Sequence, residues 1–368
     1  AAWWAARSGL STAAKNPREA RPHVPVTRSD VAREAGVSPA VVSYVLNNGP
    51  RPASTEARAR VLDAVRRLGY RPNAIASALR AGSTQSIGFL TPNRTNPFFG
   101  ALAEAVEQHL NEQGYLMLAA NTHGYQPDEE RLLRTFVDRR VDGLIISSGT
   151  SLVGPVLREI DAPVLILDDA GESPDYSSVQ TEDHLDAAAA VDHLQNHGHD
   201  LIGCIVGPPR TRSEASRLNG WRKQQQRSSA PAGDELIAFA DQSEAGGDSA
   251  ARLLLSGHGR PATLHGRPPT ALFVASDIQA IGVLWACHDL GIRVPEDVAV
   301  VSMGGTRAAA YAIPTLTTVR QDVEYLARAA CTQLLRLVAD SSAPQTHVRA
   351  RGNLVVGQTC GCAAAIRC

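Results

Sequence analysis

The sequence predicts a small all-α head with a helix-turn-helix motif, followed by an α/β body built on two doubly wound parallel sheets. Three observations lead to this prediction. Two short helical patterns joined by a glycine turn fill residues 26–47, strand and helix patterns alternate in two runs from residue 86 onward, and the two parts differ in charge. A chain of 368 residues also exceeds the size of one compact domain.

The helix-turn-helix prediction depends on capping residues and a turn at fixed spacing. Thr27 can cap the first helix, with Asp30 three residues later as in a capping box. Gly36 permits a sharp turn, Ser38 can cap the second helix, and Pro39 falls in the first turn of that helix, where it needs no N–H partner. In DNA-binding proteins this arrangement places the second helix in the major groove. An ordinary helical hairpin is the alternative interpretation.

A third helix and a short alanine-rich segment follow the motif. Ser54 can cap the third helix, Gly69 ends it, and we expect its inward face to carry Val61, Leu62, Val65 and Leu68. The inward face of the second helix is expected to carry Val42, Val45 and Leu46. The segment at 70–82, YRPNAIASALRAG, is marginal as an isolated helix, so its folding can be coupled to binding.

The order GVSxxxVSxVLN, a capped helix and GYRPNxxAxxLR resembles the lac-repressor (LacI/GalR) family of bacterial transcription regulators. The resemblance extends from about residue 24 to about residue 362. It implies that residues 71–83 form a hinge that becomes helical on operator DNA and pairs with the hinge of a second subunit in the minor groove. Leu79 would then be wedged between base pairs, where unstacking costs a few kcal/mol but opens the groove. Alternatively, Leu79 is a linker residue that packs on the core.

The expected DNA contacts lie at the start of the first helix, at the start and on the outer surface of the second helix, just after the second helix, and in the hinge. They are Thr27, Ser38, Pro39, Ala40, Val41, Ser43, Tyr44, Asn47, Asn73, Ala76, Leu79 and Arg80, with Arg51 as a further phosphate contact. The family often has Arg or His at the position of Tyr44, so we expect an operator preference different from the lac type.

The charge distribution agrees with a DNA-binding head. The first 82 residues carry 13 Lys and Arg against 5 Asp and Glu, whereas the remaining residues carry 23 against 32. A basic head is attracted to phosphates in a salt-dependent way. The acidic body is expected to stay away from DNA.

The body alternates continuous apolar strands with helical patterns, which predicts parallel sheets covered on both faces. The predicted strands are 87–90, 115–120, 142–147, 163–168, 201–206, 236–240, 271–276 and 298–302. The predicted helices are 98–113, 129–140, 183–196, 214–226, 243–255, 277–290 and 322–338.

The resemblance implies two lobes like those of periplasmic sugar-binding proteins, with three crossovers between them. The expected division is a disordered leader at 1–23, a head at 24–70, a hinge at 71–83, a body at 84–362 and a tail at 363–368. Lobe 1 would comprise 84–179 and 320–342, and lobe 2 would comprise 180–319 and 343–362. The strands around 348–356 are accordingly expected in lobe 2.

Ligands of such folds bind at the carboxyl ends of the strands, in the cleft between the lobes. The polar and aromatic residues expected to contact an effector there are Asn96, Phe98, Phe99, Asp168, Arg217, Trp221, Ser276 and Asp277. The alternatives are that Asp277 is only a helix N-cap and that Phe98 and Phe99 pack in the core.

One position departs from the family pattern. After the penultimate core strand the family usually has an aspartate that grips sugar hydroxyls or purine nitrogens, and here the matching residue is Gly304. A charge-assisted hydrogen bond is worth roughly 1.5–3 kcal/mol. Its absence argues against a standard sugar effector. The ligand is then of another kind, another residue replaces the aspartate, or effector binding has been lost.

We expect no metal and no cofactor. Cys360, Cys362 and Cys368 cluster near the end of the chain, without an obvious partner pair at zinc spacing. The histidines in HLQNHGH, residues 193–199, are expected to fan around the end of a helix.

Two function classes remain open at this stage. The first is a transcription regulator, most simply a repressor, that binds a near-palindromic operator in double-stranded DNA as a homodimer. Its operator affinity is expected to respond to a small-molecule effector in the cleft between the lobes, and despite Gly304 we expect that effector to be a sugar or a related metabolite. The second is a small-molecule-binding or enzymatic α/β protein with an incidental N-terminal hairpin, for which we find neither a convincing catalytic acid pair nor a secretion signal. No run of eighteen apolar residues exists, so we expect a cytoplasmic protein that does not enter membranes.

Overall fold

The structure, a computed structural model, describes residues 26–46, 53–71, 82–122, 126–147, 155–167, 175–209, 211–255 and 267–362. The chain divides into two compact units, Ala1–Arg80 and Ala81–Cys368, called here the head and the body. Several predicted positions lie outside the described residues. They are Asn47, Arg51, Asn73, Ala76, Leu79, Arg80, Asp168, the leader and the tail.

The head contains three helices, α1 (Arg28–Ala35), α2 (Pro39–Leu46) and α3 (Thr55–Leu68). Thr27 and Asp30 form the predicted capping box at the start of α1, and Gly36 ends α1 with φ +62°. This left-handed conformation is accessible to glycine without a steric penalty, which allows the sharp turn into α2. The buried core of the head consists of Val31, Ala32, Ala35, Val42, Val45, Val61 and Ala64.

The prediction that Leu62 faces the core of the head is wrong. The side chain is 39% exposed, and Ala64 is buried instead. Val61, Ala64, Val65 and Leu68 follow the three- and four-residue spacing of one helix face. Leu62 is turned away from that face because each residue advances about 100° around a helix.

The body contains twelve strands, nine further α-helices and a short 3-10 helix (Asp234–Leu236) among its described residues. The strands are β1 (Ser86–Thr91), β2 (Leu116–Asn121), β3 (Gly143–Ile146), β4 (Val164–Leu167), β5 (Ser177–Thr181), β6 (Ile202–Val206), β7 (Ile237–Phe239), β8 (Ala271–Val274), β9 (Ala299–Gly304), β10 (Thr317–Arg320), β11 (His347–Ala350) and β12 (Asn353–Val355). The helices are α4 (Pro97–Glu112), α5 (Gln126–Asp138), α6 (Pro155–Arg158), α7 (Asp183–Asn196), α8 (Arg212–Arg227), α9 (Glu244–Leu255), α10 (Asp277–Leu290), α11 (Arg307–Tyr311) and α12 (Val323–Ala339).

The strands form two six-stranded sheets, which define the two lobes of the body. The sheet of lobe 1 has the order β11-β5-β4-β3-β1-β2, and that of lobe 2 has the order β12-β10-β9-β8-β6-β7. All pairs are parallel except β10 with β12. None of the helices in the described ranges combines the length and hydropathy needed to cross a bilayer.

The prediction that both tail strands lie in lobe 2 is wrong for β11. This strand pairs with β5 in lobe 1, with His347 opposite Ser178, and only β12 joins the sheet of lobe 2. Without β11, β5 would form the edge of its sheet and leave a row of backbone groups unpaired. The Ser178 N–H donates to Thr346 O at 2.8 Å and the Glu182 N–H donates to Ala350 O at 2.9 Å.

Two acidic residues at the start of α7 bind the segments that cross between the lobes. The Gln321 Nε2 donates to Asp183 Oδ1 at 3.0 Å, and the Gly352 N–H donates to Asp186 Oδ2 at 2.9 Å. Burial raises the pKa of the Asp186 carboxyl to about 6. The first turn of α7 therefore ties together the second and third crossovers.

Candidate functional site

The predicted DNA-contacting residues of the head are most exposed at the start of α2. Ser38, Pro39 and Ala40 are exposed, whereas Val42 and Val45 are buried against the other helices. The remaining predicted contacts on this helix, Val41, Ser43 and Tyr44, are half-buried. Thr27 is exposed at the start of α1. Ser38, Pro39 and Ala40 are thus left accessible to solvent at the start of α2, while the next residues anchor the helix to the core of the head.

In the body, Asn96 links the two lobes. Its Oδ1 accepts from the Phe98 N–H at 3.1 Å and caps α4, while its Nδ2 donates to Gln242 Oε1 at 3.0 Å. Asn96 follows β1 of lobe 1, and Gln242 follows β7 of lobe 2. Both residues lie beyond the carboxyl ends of parallel strands, where a ligand was expected.

Gln242 also contacts a buried acid. Its Nε2 donates to Glu214 Oε1, and the Gly207 N–H donates to Glu214 Oε2 at 2.8 Å. Burial raises the pKa of the Glu214 carboxyl, and the nearby Arg217 opposes this rise. Neither Gln242 nor Glu214 was predicted from the sequence. The rule that selected the other candidates, a polar residue beyond a strand end, applies to Gln242 as well.

Arg217 is buried and its charge is paired. The Nη2 lies 3.3 Å from Asp183 Oδ1, and the Nη1 donates to Ala275 O at 2.8 Å. Ser213 Oγ also donates to Asp183. Arg217 therefore joins α8 to the start of α7 and to the segment after β8, within lobe 2.

Asp277 is only 1% exposed and its carboxylate is saturated by its own chain. The Oδ1 accepts from Ser302 Oγ at 2.6 Å and from Thr318 Oγ1 at 2.7 Å, and the Oδ2 accepts from the Thr306 N–H at 2.6 Å. Burial raises the pKa of Asp277, while these hydrogen bonds lower it. The N-cap residue of α10 is Ser276 and not Asp277, since the Ser276 Oγ accepts from the Gln279 N–H at 3.4 Å.

Gly304, at the position where the family usually has aspartate, has a backbone that favours glycine. Its φ is +131°, and a Cβ built there would lie 3.0 Å from Asp277 Oδ2. An L side chain is strained in this conformation, and a carboxylate would also face Asp277. The loss of the family's aspartate therefore accompanies a local backbone that disfavours any side chain.

Of the aromatic residues expected to contact an effector, Phe98 and Trp221 are buried and Phe99 is half-buried. Phe98 packs in the core of lobe 1, and its ring lies edge-on to that of half-buried Phe99, with centroids 5.2 Å apart. Trp221 is fully buried, and its Nε1 donates to Ile202 O at 3.2 Å. The indole of Trp221 is therefore committed to the core of lobe 2, on which the face of α8 that carries it packs, and its contact with a ligand stays a prediction.

Two buried hydroxyls at the strand ends of lobe 1 were not predicted from the sequence. Thr91 ends β1, and Ser147 directly follows β3, the neighbouring strand. Neither hydroxyl has a hydrogen-bond partner within the described residues. A buried polar group without a partner is costly, so both are candidates to bond a ligand.

Comparisons with known proteins agree with this architecture. Residues 27–73 match bacterial regulatory proteins, lacI family, and residues 191–360 match the periplasmic binding protein-like domain. The chain is 33% identical over 328 residues to the ribose operon repressor of Escherichia coli (strain K12), covering 88% of this chain and 96% of that protein. It is 31% identical over 319 residues to the HTH-type transcriptional repressor PurR of Photobacterium profundum, covering 86% and 93%.

Solved structures give the same result. The lac repressor dimer bound to operator and the anti-inducer ONPF superposes with a TM-score of 0.79 at 27% identity, covering 91% of this chain and 99% of that one. The similarity therefore includes both the helix-turn-helix segment and the two-lobed body. From the length and identity of these matches, the chain belongs to the lacI family of bacterial regulatory proteins.

Proposed function

We propose that this chain, a DNA-binding transcription regulator, represses its target genes as a homodimer on a near-palindromic operator, and that a small molecule between the lobes sets its operator affinity. The observation that carries the proposal is the start of α2, where Ser38, Pro39 and Ala40 are exposed while Val42 and Val45 anchor the helix. A helix held in this way can present its N-terminal residues to base edges in the major groove.

The dimer and the hinge are parts of the same proposal. The solved lac repressor described above is a dimer bound to operator. In the proposed complex each subunit reads one half-site, which matches a two-fold protein to a palindromic site. Residues 71–83 would form the hinge, with Leu79 as the minor-groove wedge and the remaining contacts from Asn47, Asn73, Ala76 and Arg80.

The groups at the strand ends favour an uncharged, hydroxyl-rich effector, such as a sugar or a related metabolite. The charged residues Glu214, Arg217 and Asp277 already have partners in the chain. Among the candidates that the structure describes, the groups left to bond a ligand are neutral, namely the hydroxyls of Thr91 and Ser147, together with the Asn96 and Gln242 amides once their mutual bond opens. A charged ligand would lack a free counter-ion among these residues.

We infer that the chain regulates transcription without catalysing a reaction, and that it acts on DNA in the cytoplasm. Its relatives in the comparisons above are repressors. The buried acids Glu214 and Asp277 accept hydrogen bonds from their own chain, which suits a structural role better than acid–base catalysis.

The test is selection of binding sites from a pool of random duplexes by the full-length chain at low salt. We expect enrichment of a palindromic sequence. Tyr44→Ala, on α2, should change the selected bases, whereas Glu56→Ala, at an exposed position of α3, should not. Failure to enrich any palindrome, with or without sugars and nucleosides, would refute the proposal.

A further inference from the structure

Four potential metal ligands, two imidazoles and two thiols, lie together in lobe 2. They are His193, His197, Cys360 and Cys362, and their ligand atoms all lie within 4.8 Å of one another. Cys362 Sγ lies 3.1 Å from His197 Nε2 and 3.7 Å from His193 Nε2. From the sequence, these histidines were expected to fan around the end of the helix. Their four-residue spacing instead puts both on one face, with ring centroids 4.9 Å apart.

The local backbone explains how the cluster forms. His193 lies in the last turn of α7, and His197 is the C-cap residue of that helix. Gly361 separates the two cysteines with φ +81°, a left-handed conformation that turns the chain sharply between them. Glycine is required there by conformation rather than by space, since the nearest atom to an added Cβ is 4.0 Å away.

The cysteine segment is held in place independently of any metal. Thr359, directly before Cys360, accepts from the Val300 N–H through its carbonyl at 2.7 Å and donates from its Oγ1 to Val300 O at 2.6 Å. Its Oγ1 also accepts from the Thr317 N–H at 2.9 Å. Cys360 is buried in the core of lobe 2, and Cys362 is half-buried. The sulfur atoms are thus positioned by the fold.

We propose that His193, His197, Cys360 and Cys362 form a transition-metal site with the ligand set of structural zinc. Two thiolates and two imidazoles are the set that Zn²⁺ takes in tetrahedral structural sites. With Zn–N near 2.0–2.1 Å and Zn–S near 2.3 Å, tetrahedral geometry puts a nitrogen and a sulfur ligand about 3.6 Å apart. The two distances from Cys362 Sγ to the histidine nitrogens, 3.1 and 3.7 Å, lie on either side of that value, and all four ligand atoms lie within 4.8 Å of one another.

The site is separate from the proposed effector site. Helix α7 ends just before β6 begins, so the cluster lies at the amino edge of the parallel strands of lobe 2. The effector candidates lie at the opposite, carboxyl edge. A bound metal would fasten the segment after β12 to the end of α7 and would stabilise lobe 2 without contacting the effector.

Binding of the metal requires no oxidant or other co-reactant. Two Cys S–H bonds are broken, two metal–sulfur bonds form, and the two protons pass to solvent, while the neutral imidazoles donate lone pairs. A disulfide between Cys360 and Cys362 would use the same sulfurs but requires an oxidant. The two outcomes can therefore be distinguished by working under reducing conditions.

The experiment titrates Co²⁺ and then Zn²⁺ into the reduced, chelator-treated full-length chain. We expect intense visible bands of tetrahedral Co²⁺ with a thiolate charge-transfer band, replacement by one Zn²⁺ per chain, and a rise in melting temperature. Cys362→Ser and His197→Asn should each lose the bands. The matched controls are Cys368→Ser and His199→Asn. His199, two residues beyond His197, bonds Thr270 Oγ1 and is outside the cluster, so both controls should retain the bands.

Thiol mapping supplies a measurement on the unaltered chain. Zn²⁺ should protect Cys360 and Cys362 from alkylation and leave the reactivity of Cys368 unchanged. Several results would overturn the proposal: no Co²⁺ uptake by the folded chain, an octahedral spectrum, bands that persist in both cluster variants, or loss of the bands in the controls. A Cys360–Cys362 disulfide that persists in reductant would also overturn it.

Discussion

Asn96 and Gln242 are joined by a hydrogen bond of 3.0 Å between Asn96 Nδ2 and Gln242 Oε1, although 146 positions separate them in the sequence. The bond connects the end of β1 in lobe 1 to the end of β7 in lobe 2. Under the proposed function, a ligand bound between the lobes at these strand ends would break this bond or extend it. The pair would then couple ligand binding to the relative position of the lobes, provided that the two states differ in affinity for the ligand.

Asn96→Ala should destabilise the body by about 1–3 kcal/mol, because it removes both a helix cap and the bond to Gln242. Urea unfolding of the full-length chain measures the change. Thr211→Ala is the matched control, since Thr211 caps α8 through a 3.1 Å bond from the Glu214 N–H. A double-mutant cycle with Gln242→Ala isolates the bond between the lobes, and a coupling energy of zero would contradict its role.

Arg217→Ala should cost about 3–5 kcal/mol of body stability, since it leaves the buried Asp183 carboxylate without its cation. Combining it with Asp183→Asn should recover part of the loss. A stability loss below about 1 kcal/mol for Arg217→Ala would show that the pair is not a buried ion pair in solution.

The Asp186 carboxyl should make the body less stable as the pH rises. Its pKa is raised by burial from 3.8 to about 6 in the folded chain, so the folded state holds a proton that the unfolded state has released. The stabilisation is complete below pH 3.8 and is lost as the pH rises through 6. Arg351 and Arg217 oppose the shift, whereas Asp183 adds to it.

Asp186→Asn should therefore raise the free energy of unfolding at pH 8 by up to about 3 kcal/mol, and this gain should shrink steadily towards pH 4. The Asn oxygen can still accept the Gly352 N–H. Asp192→Asn, at an exposed position on the same helix, is the control. An equal effect at both pH values would show that the carboxyl does not titrate as stated.

The two-sheet body follows from the sequence because continuous apolar strands and amphipathic helices alternate through it. The local sequence pattern could not show which sheet β11 joins, since a short, partly polar strand can pair with either sheet. In the structure β11 pairs with β5, which would otherwise be an unpaired edge strand. Leu62 was misplaced because neighbouring apolar residues on one helix cannot all face the core.

Predicting the site was harder, since strand ends identify a location but not the partners of each side chain. Arg217 and Asp277 are at the expected strand ends, but each is committed to contacts from segments distant in sequence. Trp221 faces the core because helix rotation, not proximity to Arg217, sets its direction. Similarly, His197 and Cys362 are 165 positions apart, so only the fold brings them together.

Leu79→Ala should reduce affinity for the selected operator by about tenfold or more while leaving affinity for random duplex nearly unchanged, because only the wedge contributes to opening a specific base step. Fluorescence anisotropy at one fixed salt concentration measures both affinities. Leu62→Ala, at an exposed apolar position of α3, is the matched leucine control. Equal losses on operator and random DNA would contradict the wedge.

Gly304→Asp, which introduces the aspartate usual in the family, should destabilise the body rather than create a sugar site. The φ of +131° strains any side chain, at a cost of about 1–3 kcal/mol. The new Cβ would lie 3.0 Å from Asp277 Oδ2, so two carboxylates would crowd one buried position.

The control variant Gly304→Ala introduces only the conformational strain, so it should be less destabilising than Gly304→Asp in urea unfolding at pH 7. The difference in unfolding free energy between the two variants should become smaller when Asp277 is also replaced by Asn, because the repulsion between the two carboxylates is then removed. A Gly304→Asp chain as stable as the original, and newly stabilised by sugars, would show that the backbone here adapts to the family's aspartate and that Asp277 leaves room for it.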